Sequence, residues 1–378
     1  MFKSPKVIIS SLLVVIIVLT AGCVFFACRS LTPASVSGGE VINQAWDLLF
    51  SHYVDQSKLD SANMTQAAIE GILNVINDPH MAYMTKAEYE EFLQGLQGQY
   101  AGIGATISTE DENIIVVSVL ADSPAEKAGI KVGDVILKVD GEPVTGLSII
   151  IVGDKMRGPA DTTITLEILH QNETEPVTLV ITRANLLMPS VYYVMIDKIA
   201  YIGIAHFTER TESEIAPIIT QLKTDNAEGI VLDLRGNTGG YLDIVVQVAS
   251  HFIPEGVIAK VRNSDGSIEL YEANAGEETT DLPMVVLVNG YSASGSEVLS
   301  GALQDYGRAL IAGTTTYGKG SVNQLYKLYD GSGIYITIAR WLTPHDRLIE
   351  GQGITPDVIL EITGAEELQW AIDYLNGH

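Results

Sequence analysis

Apolar residues recur along this chain at three different spacings. Over 40–97 they fall three and four apart, at Val41, Ala45, Leu48 and Leu49 and again at Ala67, Ala68, Gly71, Ile72 and Val75, which predicts helices. Asn77-Asp78-Pro79-His80 interrupts that rhythm, and 86–96 resumes it. From Tyr100 the apolar runs become short and β-like, at 104–107, 114–119, 135–139, 164–169 and 177–182, with turn signals such as Asp140-Gly141 between them. Two short helices fit at 124–128 and 149–156. From about Leu187 strands and helices alternate: strands at 199–204, 229–234, 283–289, 310–313 and 333–337, helices at 241–252 and 296–305. That alternation predicts a mostly parallel sheet covered by helices. The expected fold is therefore α/β (α+β multidomain): an N-terminal helical region over 40–97, an inserted β-rich module over 98–183, a mostly parallel core over 184–363 and a terminal helix over 364–378.

Composition narrows the picture. The 378 residues carry 47 acidic and 22 basic side chains, a formal charge of −25. A surface so acidic repels phosphate backbones, so no nucleic-acid partner is expected. Both cysteines, Cys23 and Cys28, precede residue 30, which removes cysteine chemistry from the body of the chain. Lys3 and Lys6 precede an uncharged stretch over 7–28, long enough for a bilayer-spanning helix, which needs roughly 20 residues. The lysine placement predicts an N-terminus in the cytoplasm and an extracytoplasmic body anchored to the cell membrane. Leu19-Thr20-Ala21-Gly22-Cys23 offers the other reading, a lipoprotein site at Cys23. The segment 1–30 is thus the expected signal or anchor, and 31–39, with Pro33, Gly38 and Gly39, a flexible linker.

Two loops stand at C-terminal ends of predicted core strands, where such sheets carry function. Asp233-Leu234-Arg235-Gly236-Asn237-Thr238-Gly239-Gly240 leads into a helix, and its glycines free N–H groups suited to a developing oxyanion. Ser292-Ala293-Ser294-Gly295-Ser296-Glu297 is a strand-to-helix turn. There a serine is either a cap, with Ser294 and Glu297 in a capping box, or an acyl-transfer nucleophile. The residues alone leave Ser292, Ser294 and Ser296 equally open. No histidine motif supplies a base; Tyr317-Gly318-Lys319-Gly320-Ser321 supplies a lysine, which acts as a base only when burial lowers its pKa. Over 313–333 the only acid is Asp330, so little nearby in sequence holds that amine charged.

The motifs carry two resemblances. Ala101-Gly102-Ile103-Gly104, followed by 123–136 (Ser123-Pro124-Ala125-Glu126-Lys127-Ala128-Gly129-Ile130 onward), resembles a PDZ domain. That implies capture of a C-terminal carboxylate by the N–H groups of Gly102, Ile103 and Gly104, with the peptide added as a strand. In order along the chain, Asn77-Asp78-Pro79-His80, these PDZ motifs, Asp233-Leu234-Arg235, Gly239-Gly240, the 292–297 loop, Gly301-to-Asp305, the 317–322 loop and Gly353-Ile354-Thr355-Pro356-Asp357 resemble the C-terminal processing peptidases, or tail-specific proteases. The resemblance implies a serine endopeptidase with Ser294 as nucleophile, Lys319 as base and N–H groups of Gly239 and Gly295 for the oxyanion. It further implies supporting roles for Asp305, Glu297 and Thr316, and a report of peptide binding through Arg157. Substrates would be proteins or peptides with exposed apolar C-termini, and no metal or cofactor is implied.

Two positions depart from the family pattern. Asn323 stands where a glutamine usually orients the lysine, with Gln324 beside it, and Asp161 replaces a usual glycine. The Asn323 departure supports a rival reading, a catalytically inactive PDZ adaptor. Finally, Leu368, Ala371, Ile372 and Leu375 form one apolar helical face that must bury itself on its own domain or on a second copy. With the apolar N-terminal helices, it raises the expectation of a homodimer.

Overall fold

The computed structural model describes residues 37–377 apart from Asp111 and Asn172. The anchor, the Cys23 site and the linker up to residue 36 lie outside the described residues. Among the described residues, no helix is long and apolar enough to cross a membrane. Gly38 and Gly39 are not linker: they open the helix Gly38–His52. Ser37 and Glu40 form its capping box, the Ser37 N–H donating to Glu40 and the Glu40 N–H to the Ser37 hydroxyl. Reciprocal capping of two orphan N–H groups outweighs the low helix propensity of two glycines. Val41, Ile42, Leu48 and Leu49 of this helix remain exposed.

The β-rich module is an antiparallel sheet in the order Ala105–Glu110, Asn113–Val119, Val135–Val139, Thr163–Leu169, Val177–Thr182. Its inner face buries Ile114, Val116, Ile136, Ile164, Leu166 and Ile168 completely, as a period of two dictates. Ala105–Glu110 pairs on one side only, with Asn113–Val119, and so leaves an open edge. The helix Ile149–Met156 contributes Val152 and Met156 to the same core. The chain enters the module through Gln99–Gly102 and leaves through Ala184–Leu187, and these two strands pair with each other.

The core is a six-stranded sheet in the order Val191–Ile196, Ile199–Ile204, Gly229–Asp233, Met284–Val288, Leu310–Gly313, Val358–Ile359. Its first pair is antiparallel and the remaining four are parallel. Gly229–Asp233 and Met284–Val288 are buried at every position, as central strands covered on both faces must be. The strand expected at 333–337 forms but does not join this sheet. It runs as Gly333–Leu342 through a separate antiparallel sheet: Ser321–Lys327, its neighbour in sequence, pairs with it as a hairpin arm, and Ala82–Met84 and Val257–Asn263 join it from distant segments.

The terminal stripe packs on its own domain. Ala371 and Ile372 are buried against Ile199, Val231, Val285 and Leu287 of the core sheet, with Leu368, Trp370 and Leu375 around them. That face is therefore not available to a second copy.

Candidate active site

The site forms where three loops meet at the C-terminal ends of core strands. Ser294 precedes the helix Gly295–Asp305 and adopts φ 51° and ψ −112°, a left-handed conformation for a residue with a Cβ. Such a backbone costs on the order of 1–3 kcal/mol and persists only where its surroundings over-determine it. Here they do. The Ala293 N–H donates to the Asn237 carbonyl, the Tyr317 N–H to the Ser292 carbonyl, and the Ser294 N–H to Glu297 Oε2 at 2.8 Å.

The three serines separate by partner and burial. Ser292 is fully buried, its hydroxyl donating to the Leu234 carbonyl and accepting from the Asn289 N–H. Ser296 is fully buried too and donates to the Asn237 carbonyl. Both hold loop to loop, and only Ser294 is partly exposed.

Glu297 organises both chemical loops. It is 0% exposed, and its two carboxylate oxygens accept four hydrogen bonds. Oε1 accepts from Thr316 Oγ1 at 2.6 Å and the Gly318 N–H at 2.7 Å; Oε2 accepts from the N–H groups of Ser294 and Lys319 at 2.8 and 2.9 Å. One oxygen thus gathers the backbones of the nucleophile candidate and the base candidate. Thr316 passes the tie on by accepting from the Ile354 N–H.

Lys319 is desolvated, and burial lowers its pKa from the ordinary lysine value; the carboxylates of Glu350, Glu297 and Asp78 push the other way. Its Nζ lies 5.4 Å from the centre of the Tyr335 ring. The sequence neighbourhood looked almost free of acids, but the fold brings three carboxylates from distant segments. Gly320 must be glycine for this approach, since a Cβ there would stand 2.5 Å from the Glu350 nitrogen.

Two expectations are corrected. Asn323 does not orient the lysine amine: its Nδ2 donates to the His80 carbonyl and to Thr337 Oγ1, both at 2.9 Å, and its Oδ1 accepts from Ser321 Oγ. A register shift between Val322 and Asn323 accompanies this turn towards the His80 side. Gln324 is exposed and accepts from Tyr326. Gly239 does not present a free N–H either, because it donates to Asn237 Oδ1 at 2.8 Å. What its missing side chain provides is proximity: a Cβ on Gly239 would stand 2.8 Å from the Gly295 nitrogen and from Ser294 Cβ. The Gly295 N–H, at the first position of its helix, has no carbonyl four residues back within the helix, and its nitrogen lies close to Gly239.

Asp305 lies away from these loops, accepting from Arg347 and from the His345 N–H at 2.7 Å. Arg235 is chelated by Asp233 and Glu367, which clamps the terminal helix to the start of the Gly239 loop. Sequence reading missed Asn237 and the His80–Glu350 pair, whose Nε2 to Oε1 distance is 3.0 Å. Their signals were present, an asparagine inside a glycine loop and a helix-breaking Asn-Asp-Pro-His.

In the β-rich module, Ile103 is buried and its carbonyl accepts from the Ala125 N–H, while Gly104 sits at φ +86° against Ser123. Gly102 pairs with Ala184 in the entry-and-exit ribbon. Arg157 ends the Ile149–Met156 helix and lies near enough to Tyr100 to act on its charge. Arg183, not foreseen, is 7% exposed and donates to the carbonyls of Met156, Lys155 and Thr163 and to Thr162 Oγ1. It fastens the end of that helix to the exit strand.

Comparison with known proteins identifies relatives of the chain. Residues 198–360 match the model of peptidase family S41, and residues 115–170 match a PDZ domain. A carboxy-terminal-processing protease of Bartonella bacilliformis is 37% identical over 307 residues, 80% of this chain and 70% of that protein. A carboxyl-terminal-processing protease of Synechocystis sp. is 35% identical over 352 residues, 89% of this chain and 82% of that one. Among solved structures, a photosystem II D1 C-terminal processing protease aligns with a TM-score of 0.53 at 31% identity, covering 89% of this chain and 92% of its own.

Proposed function

Because the chain belongs to peptidase family S41, as a carboxy-terminal processing serine protease with a PDZ domain, we propose that it cleaves proteins near exposed apolar C-terminal tails through Ser294 and Lys319. The observation that carries the reading is the Glu297 carboxylate, one oxygen of which holds the N–H groups of both residues. Ser294 Oγ attacks the scissile carbonyl while the neutral Lys319 amine takes its proton. The Gly295 N–H stabilises the oxyanion, and the ammonium returns the proton to the leaving amine. Water then attacks the acyl-enzyme by the same path. A single oxyanion donor is worth about 10²–10³ in rate.

The tail would bind as an added strand on the open edge Ala105–Glu110, beside the helix Ile149–Met156, with its carboxylate at the Gly102-Ile103-Gly104 turn. Its last side chain would meet the apolar floor of Ile103, Val152 and Met156. We extend the proposal to a body tethered outside the cytoplasm by the segment before residue 37, and to pairing through the exposed apolar side chains of Gly38–His52.

The purified chain should degrade an unfolded polypeptide ending in apolar residues, and Ser294→Ala or Lys319→Ala should reduce cleavage to background. Amidating the substrate's C-terminus should weaken binding without touching the chemistry. Cleavage that survives in Ser294→Ala would overturn the assignment. The engagement of Asn323 with His80 favours one rival, a tail-binding chain that does not cut. Tight binding of the tail with no cleavage by the unaltered protein would establish it.

A further inference from the structure

His251 follows the helix Leu242–Ser250, at the end away from the Gly239-Gly240 loop, and takes no part in the proposed chemistry. It is 1% exposed, and its Nδ1 lies 2.7 Å from the Glu278 carbonyl oxygen. A carbonyl only accepts, so Nδ1 carries a proton, and Nε2 is the ring atom left to offer a lone pair to a ligand. Nε2 has no hydrogen-bond partner among the described residues, although Glu212 Oε1 stands 3.4 Å away. Glu212 Oε2 is likewise buried without a partner. Glu277 completes the group: one ligand atom from each of Glu212, His251 and Glu277 lies within 4.8 Å of the others.

Two carboxylates thus converge on an imidazole whose Nε2 has no hydrogen-bond partner among the described residues. An N–H···O bond from a protonated Nε2 would draw the glutamate to about 2.7–2.9 Å. Two ligands each about 2.0–2.1 Å from a tetrahedral zinc ion stand about 3.4 Å apart. The carbonyl that holds Nδ1–H is also the kind of outer contact that orients a ligating imidazole.

We propose that Glu212, His251 and Glu277 bind a divalent first-row transition cation, with zinc the best match to one imidazole and two carboxylates and with water completing the shell. The ion joins three segments: the first turn of Thr211–Thr224, the end of Leu242–Ser250 and the connection before Met284–Val288. That connection is already held by the Asn274 N–H on Ser250 Oγ and the Thr280 N–H on the His251 carbonyl. The cation is structural, binding the folded chain and raising its thermal midpoint.

The test uses the full chain, stripped with chelator and titrated with zinc. Metal content, thermal midpoint and the visible spectrum of a cobalt(II) substitute are followed. One zinc per chain is expected, with a higher midpoint, a tetrahedral cobalt spectrum and no comparable effect of magnesium. His251→Gln and Glu277→Gln should each weaken zinc binding at least tenfold. Glu277 is only partly buried, so if His251→Gln fails to fold, Glu277→Gln decides alone. No stoichiometric uptake, or uptake unchanged in the variants, would overturn the site and leave His251–Glu212 as a simple ion pair.

Discussion

At Lys319 two effects of opposite sign set when the amine is neutral. Burial disfavours the ammonium and lowers the pKa; the charges of Glu350, Glu297 and Asp78 favour it and recover part of the shift. The neutral amine is the base, so activity should rise with pH through the lowered pKa. Glu350→Gln removes one stabilising charge while keeping a hydrogen-bonding side chain towards His80. It should therefore move the rising limb of kcat/KM against pH to lower pH; an unmoved or higher limb would show that Glu350 does not face the amine. Asn323 belongs to a different question. It ties its strand to the His80 carbonyl, so Asn323→Ala should lower stability by about 1–3 kcal/mol in denaturant titrations. The midpoint of the pH profile should stay in place.

Among elements, the terminal helix Ala365–Asn376 is tied to the site by both packing and charge. Its buried face covers the core sheet, each fully buried aliphatic side chain contributing roughly 1.5–3 kcal/mol. Its Glu367, 4% exposed, pairs with Arg235 at 2.6 Å, and Arg235 in turn holds Asp233 at the root of the Gly239 loop. Deleting 365–378 would uncover Val231, Val285 and Leu287 and leave Arg235 short of a partner. A chain so shortened should be insoluble or lose at least ten degrees of thermal midpoint, and its proteolysis should fall with its stability. A shortened chain with an unchanged midpoint would refute this account.

For the whole molecule, the formal charge of −25 is the governing quantity. Like charges on a folded chain repel, and the repulsion is screened beyond about 10 Å at 0.1 M salt. The thermal midpoint should accordingly rise as sodium chloride goes from about 10 mM to about 150 mM, where the Debye length falls from roughly 30 to 8 Å. A midpoint that fell over that range would mean that attractive surface pairs, such as Lys223–Glu278, outweigh the net repulsion.

Periodicity and short motifs by themselves determined much of this protein. The runs expected at 114–119, 135–139, 164–169 and 177–182 in the β-rich module, the central strands Gly229–Asp233 and Met284–Val288, and the helices that follow them form within a residue or two of the expected bounds, while the run expected at 104–107 extends to Glu110. Local patterns suffice there because one face, or both, must be buried. The helix Thr211–Thr224 was hidden by Pro217 inside it, and the arms Val257–Asn263 and Ile268–Glu272 by their exposed, mixed outer faces. The motifs located the serine and lysine loops, but not which serine is exposed, nor what Asn323 and Gly239 bond. Those depended on contacts across large sequence separations: Asn237 with Ala293, Glu297 with Lys319, His80 with Asn323, and Glu350 beside the amine. A hydrogen bond is decided by the few ångströms between its partners, and a pKa by the charges that surround the group. Only the folded chain sets those distances.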